Sequence, residues 1–450
     1  MPLQPTPSDP DANRASTIRL LFFVVLVALI LRLAIVPFNR YLFEDLMDAN
    51  HIHAWEPGNV AEALLAGRGF GSSFISNQPA ASLPPMYPLI VAAFFWLFGV
   101  HTAKSIFAIH AFDCLINSLA CIPIFLMARR SFGERAGRWA AWGWAFFPYG
   151  IYFAAAWAWS THLLILGLCW LLYLAQGMER SPRLRLWAGF GLLAGFTGLA
   201  EPSALAVVPF LMALACFRLA REGKRWLLPG VVASLMVAAT ISPWLIRNAM
   251  VFHRLIPMRG NMGLELWMGN NGHNLSWTSD DLNPLHNQQE LADYNRMGEV
   301  AYMDHKAQQA HAYIHDHPAW YAWMCVRRAT YLWTGFWSFD RDYLAEEPMD
   351  LANIPFATCT TLLGLAGLFL AWRGEPFEAI RYGGVLFVFP IMYYFSHPEP
   401  YDMRALDPIV VVLGVFAILK LLARIKGNVT EAAWPVAMAE EPRMLVKPAE

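Results

Sequence analysis

The sequence predicts an all-α, polytopic membrane fold of about ten transmembrane helices, within a range of roughly nine to thirteen. Three observations carry that reading. The 450 residues are 57% hydrophobic and 15% charged, against about 25% charged in soluble domains. Apolar runs long enough for ~30 Å of hydrocarbon recur along the chain. The short loops between them carry clustered arginine, the mark of the cytoplasmic side. A net charge of −1 supplies no bulk field for nucleic acid.

The elements follow in order. Residues 1–17 contain Pro and Asp, lack an apolar run, and read as a cytoplasmic tail. Ile18 to Val36 is the first span. Residues 37–103 form the first outer loop. Within it, Trp55 to Ala66 has the pattern of a short amphipathic helix, with Pro57 in its first turn and Gly67 and Gly69 past its end. Pro84-Pro85 starts an apolar run, Pro88 to Val100, that is too short to cross and reads as interfacial or re-entrant.

The remaining spans are Lys104 to Met127, Trp139 to Phe153, His162 to Gln176, Leu186 to Leu199, Ala204 to Leu219, Trp226 to Leu245, Phe356 to Trp372, Tyr382 to Phe395 and Leu406 to Leu422. Arg129, Arg130, Arg135 and Arg138 share one basic loop. Arg180, Arg183 and Arg185 share a second, and Arg218, Arg221, Lys224 and Arg225 a third. These loops set both termini inside. The organisation is then a transmembrane module over residues 18–245, a large outer loop over 246–351, transmembrane helices over 352–426 and a cytoplasmic tail over 427–450. Ala319 to Trp337 carries Arg327 and Arg328 in mid-run, which is costly in lipid, so it reads as a helix on the outer surface.

The six cysteines form no CxxC pair and read as small core thiols. Histidine spacings match no strong metal template; His311 and His315 are four apart but lack the glutamate of HExxH.

The first outer loop is the most chemically dense stretch. It holds Asp45, Asp48 and Glu56, then AEALLAGRGF (Ala61 to Phe70), PPMYPL (Pro84 to Leu89) and Phe98-Gly99. With the SPWLIRN segment (Ser242 to Asn248) and the GNMGLELWMGN segment (Gly260 to Asn270), this pattern resembles the polyprenyl-phosphate-sugar glycosyltransferases of the GT-C superfamily. Protein O-mannosyltransferases and lipid A aminoarabinose transferases are among them. The resemblance implies a GT-C-type helical bundle in a bacterial inner membrane. It also implies inverting transfer of a sugar from a polyprenyl-phosphate donor to an unknown acceptor at the periplasmic face.

Relatives keep their base carboxylate in this loop, which implies that role for Glu56. Many of them have an Asp-Glu pair where this chain has His53-Ala54, which leaves Asp48 and Asp45 as alternates. A solvated Glu at a helix start is the plainer reading of Glu56. Arg247, Arg259 and Arg404 are the candidate cations for a lipid phosphate; an interfacial arginine that snorkels is the plainer one. Tyr87, Glu201, Glu265, Asn270 and His397 complete the candidate substrate contacts, with packing or turn capping as the alternative for each. No cofactor is assigned; some relatives bind a divalent ion near the phosphate, which leaves a metal open. A transporter or flippase of a lipid-linked or anionic substrate is the competing function. It would need buried charges along a path, of which Asp113 is the main one.

Overall fold

The computed structural model describes residues 10–38, 55–71, 73–74, 76–272, 282–339, 341, 344, 350–396 and 402–425. Its described helices are numbered here in chain order. α1 (Pro10–Ile35) begins inside the expected tail, with Pro10 suited to a helix's first turn. α2 (Glu56–Leu65) lies within one residue of its expected limits. Gly67 and Gly69 follow it at φ +73° and +72°, the left-handed conformation that glycine adopts without cost.

α3 (Met86–Phe98) is followed by α4 (Ala103–Leu119), whose start is closed by reciprocal bonds between Thr102 and Ser105. α4 and α5 (Cys121–Phe132) together make one apolar stretch, Ala103–Phe132. The expected span Trp139 to Phe153 divides into α6 (Glu134–Ala145) and α7 (Pro148–Ala156). Pro148 causes the division. It has no N–H, so the carbonyl of Trp144, four residues back, loses its helical donor.

Arg32 of α1 replaces that donor. It gives Nη2 to Trp144 O at 3.1 Å and Nη1 to Ala145 O at 3.2 Å. Its Nε goes to Asn117 Oδ1 at 2.9 Å. The side chain is fully buried. A cation at a helix C-terminus is favoured by the carbonyl dipoles there, so this arginine is held inside the bundle by carbonyl oxygens.

α8 (Thr161–Met178), α9 (Leu184–Ala200), α10 (Ala204–Arg221) and α11 (Leu227–Phe252) follow. Gly191 and Gly195, four apart, bring α9 against α11. A Cβ at Gly191 would stand 2.3 Å from Ala233 O, and one at Gly195 would stand 2.4 Å from Thr240 Cβ. Small residues at this spacing let membrane helices approach backbone to backbone.

Four helices then build a further layer: α12 (Met262–Gly269), α13 (Gln288–Met297), α14 (Glu299–Asp316) and α15 (Pro318–Thr334). Phe74 of the first loop joins Leu264, Met268, Tyr294, Tyr302 and Met303 in the small core of this layer. Arg328 of α15 turns inward, bonding Gly269 O and, at 3.1 Å, Asn270 Oδ1. The layer is thus sewn to its own helix.

The chain then returns through α16 (Asp350–Gly374), α17 (Pro376–Val388), α18 (Ile391–Phe395), a 3-10 turn over Asp402–Leu406 and α19 (Asp407–Ile425). Among the described residues, seven helices are long and apolar enough to cross a membrane, with Met86–Phe98 and Leu184–Ala200 shorter. The count is below the expected ten because α6–α7 and α17–α18 are broken and α9 is short. The protein is a multi-pass, all-helical membrane protein, and no strand runs through the described residues.

α8 sets the distance between the two polar ends. Its 18 residues span ~27 Å at 1.5 Å each, close to the hydrocarbon thickness. Ser160 precedes it and Glu179 follows it. At the Glu179 end, Arg381 gives Nε and Nη2 to the two Glu179 oxygens, each at 2.6 Å. Its Nη1 goes to Glu378. Arg218 Nη1 also donates to Glu179 Oε2 at 2.6 Å. This buried network ties α8, α10 and α17 together beside the basic loops.

Candidate active site

The opposite end of α8 brings together three of the expected residues, Glu201, Arg259 and Glu265. Trp55, just before α2, gives its indole N–H to Ala158 O at 2.9 Å. This ties the Glu56 end of α2 to the turn before α8. Two residues on, Ser160 Oγ donates to Glu201 Oε2 at 3.0 Å. Glu201 lies in the turn between α9 and α10, and its other oxygen is 3.8 Å from Arg259 Nη1. Arg259 Nη2 is 3.5 Å from Glu265 Oε1, and Nε donates to Ser82 O at 3.1 Å. Asn261 donates to Glu265. Burial pushes the Glu201 carboxyl above its usual range, against the pull of Arg259 and the Ser160 hydroxyl. Glu56 itself is half-buried at the first position of α2.

Arg247 sits in a different setting. It donates to Ala80 O at 2.7 Å, Phe70 O at 3.0 Å and Asn248 Oδ1 at 3.0 Å. Its guanidinium lies 5.0 Å from the Trp244 ring centre and 5.6 Å from that of Phe70. Glu299 works beside it on the same strip of chain: its Oε1 accepts from Ala81 N at 2.6 Å and its Oε2 from Tyr294 Oη at 3.0 Å. Gly260 N donates to Ala81 O at 2.8 Å. Phe70, Ala80 and Ala81 are therefore clamped between α11 and α14. Burial raises the Glu299 carboxyl from 4.5 to about 7, against the opposing effects of Ala81 N–H, Tyr294 and Arg247.

Tyr87 is buried and gives its hydroxyl to Asp113 Oδ2 at 2.7 Å, so it braces the PPMYPL corner from inside. Asn270 is fully buried. Its amide donates to Leu266 O at 2.9 Å and Phe395 O at 3.2 Å, which makes it part of the seam around Arg328. Asp45, Asp48 and His397 lie outside the described residues.

Arg404 belongs to a cavity of its own, between α7, α15, α16 and α19. Its guanidinium stacks 3.9 Å from the Tyr149 ring centre, and its Nε lies 3.5 Å from Asp407 Oδ2. Two adjoining clefts, both lined by Tyr149 and Arg404, open beside it and leave room for water-sized groups. Arg404 and Arg247 share no partner among the described residues. Ser160, Asn261, Glu299 and Asp407 were not singled out from the sequence. Only Asp407 had a local signal there, an acid at the start of the last apolar run.

Among the described residues, no three His, Cys, Asp or Glu side chains converge as metal ligands. Glu201 and Glu265 both face Arg259. That cluster does not fit a divalent ion, and no step is drawn through one.

Fold comparison agrees with this architecture. Residues 82–246 match the family described as dolichyl-phosphate-mannose-protein mannosyltransferase. The oligosaccharyltransferase of Archaeoglobus fulgidus, in its apo form, aligns at TM-score 0.53 and 13% identity over 90% of this chain. The same archaeal protein, AglB, in complex with an inhibitory peptide and a dolichol-phosphate, gives TM-score 0.53 at 12% identity. This chain spans about half of that protein, 51% of its length. ArnT from Cupriavidus metallidurans bound to undecaprenyl phosphate covers 90% of this chain and 79% of its own at 12% identity, with a TM-score of 0.38, too low to argue from. No curated protein matches the sequence. The chain shares the fold of that archaeal oligosaccharyltransferase, and the stretch from α3 into α11 matches the family described as dolichyl-phosphate-mannose-protein mannosyltransferase.

Proposed function

We propose that the protein is a glycosyltransferase that moves a sugar from a polyprenyl-phosphate donor to an acceptor, with inversion at the anomeric carbon. The site would face the periplasm of a bacterial inner membrane, opposite the basic loops. The superfamily fold and the mannosyltransferase match support transfer chemistry. One observation supports the site: Trp55, next to Glu56, bonds Ala158 O, two residues before the Ser160 that donates to Glu201 beside Arg259.

In this reading Glu56 takes the proton from the acceptor O–H or N–H as the acceptor attacks the anomeric carbon. The bond from that carbon to the phosphate oxygen breaks, and polyprenyl phosphate leaves with the electron pair. Arg259 faces the charge that grows on the leaving phosphate. Glu201, whose carboxyl burial pushes above its usual range, steadies Arg259 and offers a second carboxyl at the same edge. Arg247 braces the loop that carries the site, and the acceptor is a protein, lipid or glycan.

The test uses purified full-length protein in vesicles, given a labelled polyprenyl-phosphate sugar and a membrane extract as acceptor. Wild type releases polyprenyl phosphate. Glu56→Gln keeps its fold and loses transfer by about 10²- to 10⁴-fold. Near-normal transfer by that variant removes Glu56 as the base and moves the role to Asp48 or Asp45.

A further inference from the structure

α2, the helix that begins with Glu56, is joined to Arg259 by two separate routes. The first runs from Trp55 to Ala158 O, then from Ser160 to Glu201 and from Glu201 to Arg259. The second passes through the first outer loop. Asn59 Nδ2 donates to Ser73 O at 2.7 Å. Ser73 Oγ and Ser82 Oγ lie 2.9 Å apart, one hydroxyl donating to the other. Ser82 O then accepts from Arg259 Nε at 3.1 Å. Asn59, Ser73 and Ser82 are all buried.

Fastening alone does not call for these hydroxyls. Arg247 already holds Phe70 O and Ala80 O, and Glu299 holds Ala81 N. The chain beside the two serines is buried and apolar, with Phe74, Ala80, Ala81 and Leu83, and burying a polar group there carries a cost that alanine would not. What the serine pair adds is a connection: it joins the residue that receives Asn59 to the residue that holds Arg259. Asn59 and Glu56 are three apart, so they occupy neighbouring positions on one face of α2. A single tether would let that helix swing about it. Two routes that close on one guanidinium fix its orientation as well as its distance.

We propose that Asn59, Ser73 and Ser82 are positioning residues: they set where α2, and Glu56 with it, stands relative to Arg259. The use made of that spacing rests on the function proposed above. There Glu56 takes a proton on the acceptor side of the anomeric carbon, and Arg259 meets the phosphate leaving on the other. Displacement with inversion needs both ends in register, and a misplacement of ~1 Å costs about 10²-fold. None of the three residues touches a reacting atom in this reading. Their loss therefore lowers turnover and spares donor binding.

The experiment uses purified full-length protein in nanodiscs and two readouts. Turnover is the release of undecaprenyl phosphate from a panel of labelled undecaprenyl-phosphate hexoses and pentoses, with a membrane extract as acceptor. Amide hydrogen exchange is followed in α2 and in residues 256–262, with no substrate present. Ser73→Ala, Ser82→Ala and Asn59→Ala each lower kcat by about tenfold or more and leave KM for the donor within about twofold. The double serine variant falls no further than either single one, because the two hydroxyls share one bond. Exchange changes across the relay. Ser82→Ala speeds it in α2, and Asn59→Ala and Ser73→Ala speed it in residues 256–262, by about fivefold, the size of one lost hydrogen bond. Each variant is accepted only with a wild-type elution profile and helical content, and either serine variant suffices.

Wild-type kcat in the accepted variants overturns the proposal. So does exchange that changes only beside the substitution, which is what a merely structural role would give. Additive losses in the double variant overturn it too, because they deny the shared bond. A wild type that releases undecaprenyl phosphate from no donor, with the crossed exchange pattern intact, sinks the transfer reading and keeps the relay that places α2. With neither release nor the crossed pattern, both fall.

Discussion

Two buried polar regions at opposite ends of the bundle contain the same ingredients and solve opposite problems. Beside the basic loops, all three guanidinium nitrogens of Arg381 donate to carboxylates, and Glu179 takes a further bond from Arg218. Around Arg404, one carboxylate stands at 3.5 Å and three polar atoms stay without a partner. A saturated network has nothing left for a ligand and serves to fasten helices. An unsaturated one costs stability unless something else completes it. Charge content alone would have treated the two alike; the difference lies in whether the donors and acceptors are used up.

The comparison breaks most readily at its saturated end. Arg381→Ala leaves Glu179 and Glu378 buried without their main cation and should cost about 3–5 kcal/mol. Loss of folded protein on expression, or a large fall in Tm, is the expected result; a variant as stable as wild type would show that the network fastens nothing. The unsaturated end should respond far less. Asp407→Asn loosens the 3.5 Å pair with Arg404 but keeps a polar group there, and stability should fall by about 1 kcal/mol.

Glu299 gives an effect between these two, and one that depends on pH. Its carboxyl is raised from 4.5 to about 7 by burial, so the folded state holds a proton that the unfolded chain has released. Its contribution is fully present below pH 4.5 and is lost as pH rises through 7, by up to on the order of 3 kcal/mol. Melting curves of wild type should therefore fall, relative to Glu299→Gln, between pH 5 and 7.5. Parallel curves would mean that Ala81 N–H and Tyr294 keep the carboxylate charged. The smallest effect is expected for the exposed Arg254–Asp304 pair at 2.6 Å. Arg254→Ala should change stability by about 0–1 kcal/mol.

Local features were legible in the sequence. α2 was readable because Pro57 and two glycines punctuate it, and those residues act through their own backbone. α15 was readable as a helix from its apolar run, and the structure turns one of its two mid-run arginines, Arg328, inward to Gly269 and Asn270. Pro148 signals the split of Trp139 to Phe153, but the apolar run continues through it and masks the break. The pairings were not legible. Arg259 meets Glu201, and Arg381 meets Glu179 202 residues away, and no local pattern encodes such a distance. The same holds for the site: Arg247 and Arg404 were expected on one phosphate, whereas the clamp on Phe70, Ala80 and Ala81 and the cleft beside Tyr149 exist only once distant helices meet.

The Arg32 contact changes what the opening helix is. A generic hydrophobic anchor put in place of residues 14–38 would still enter a bilayer. It would bring no guanidinium to the carbonyls exposed at the Pro148 break, and the sixth helix would end in bare dipoles within oil. The amino-terminal segment is thus a keystone rather than a tether: swapping it for an unrelated leader should yield a protein that inserts but does not set.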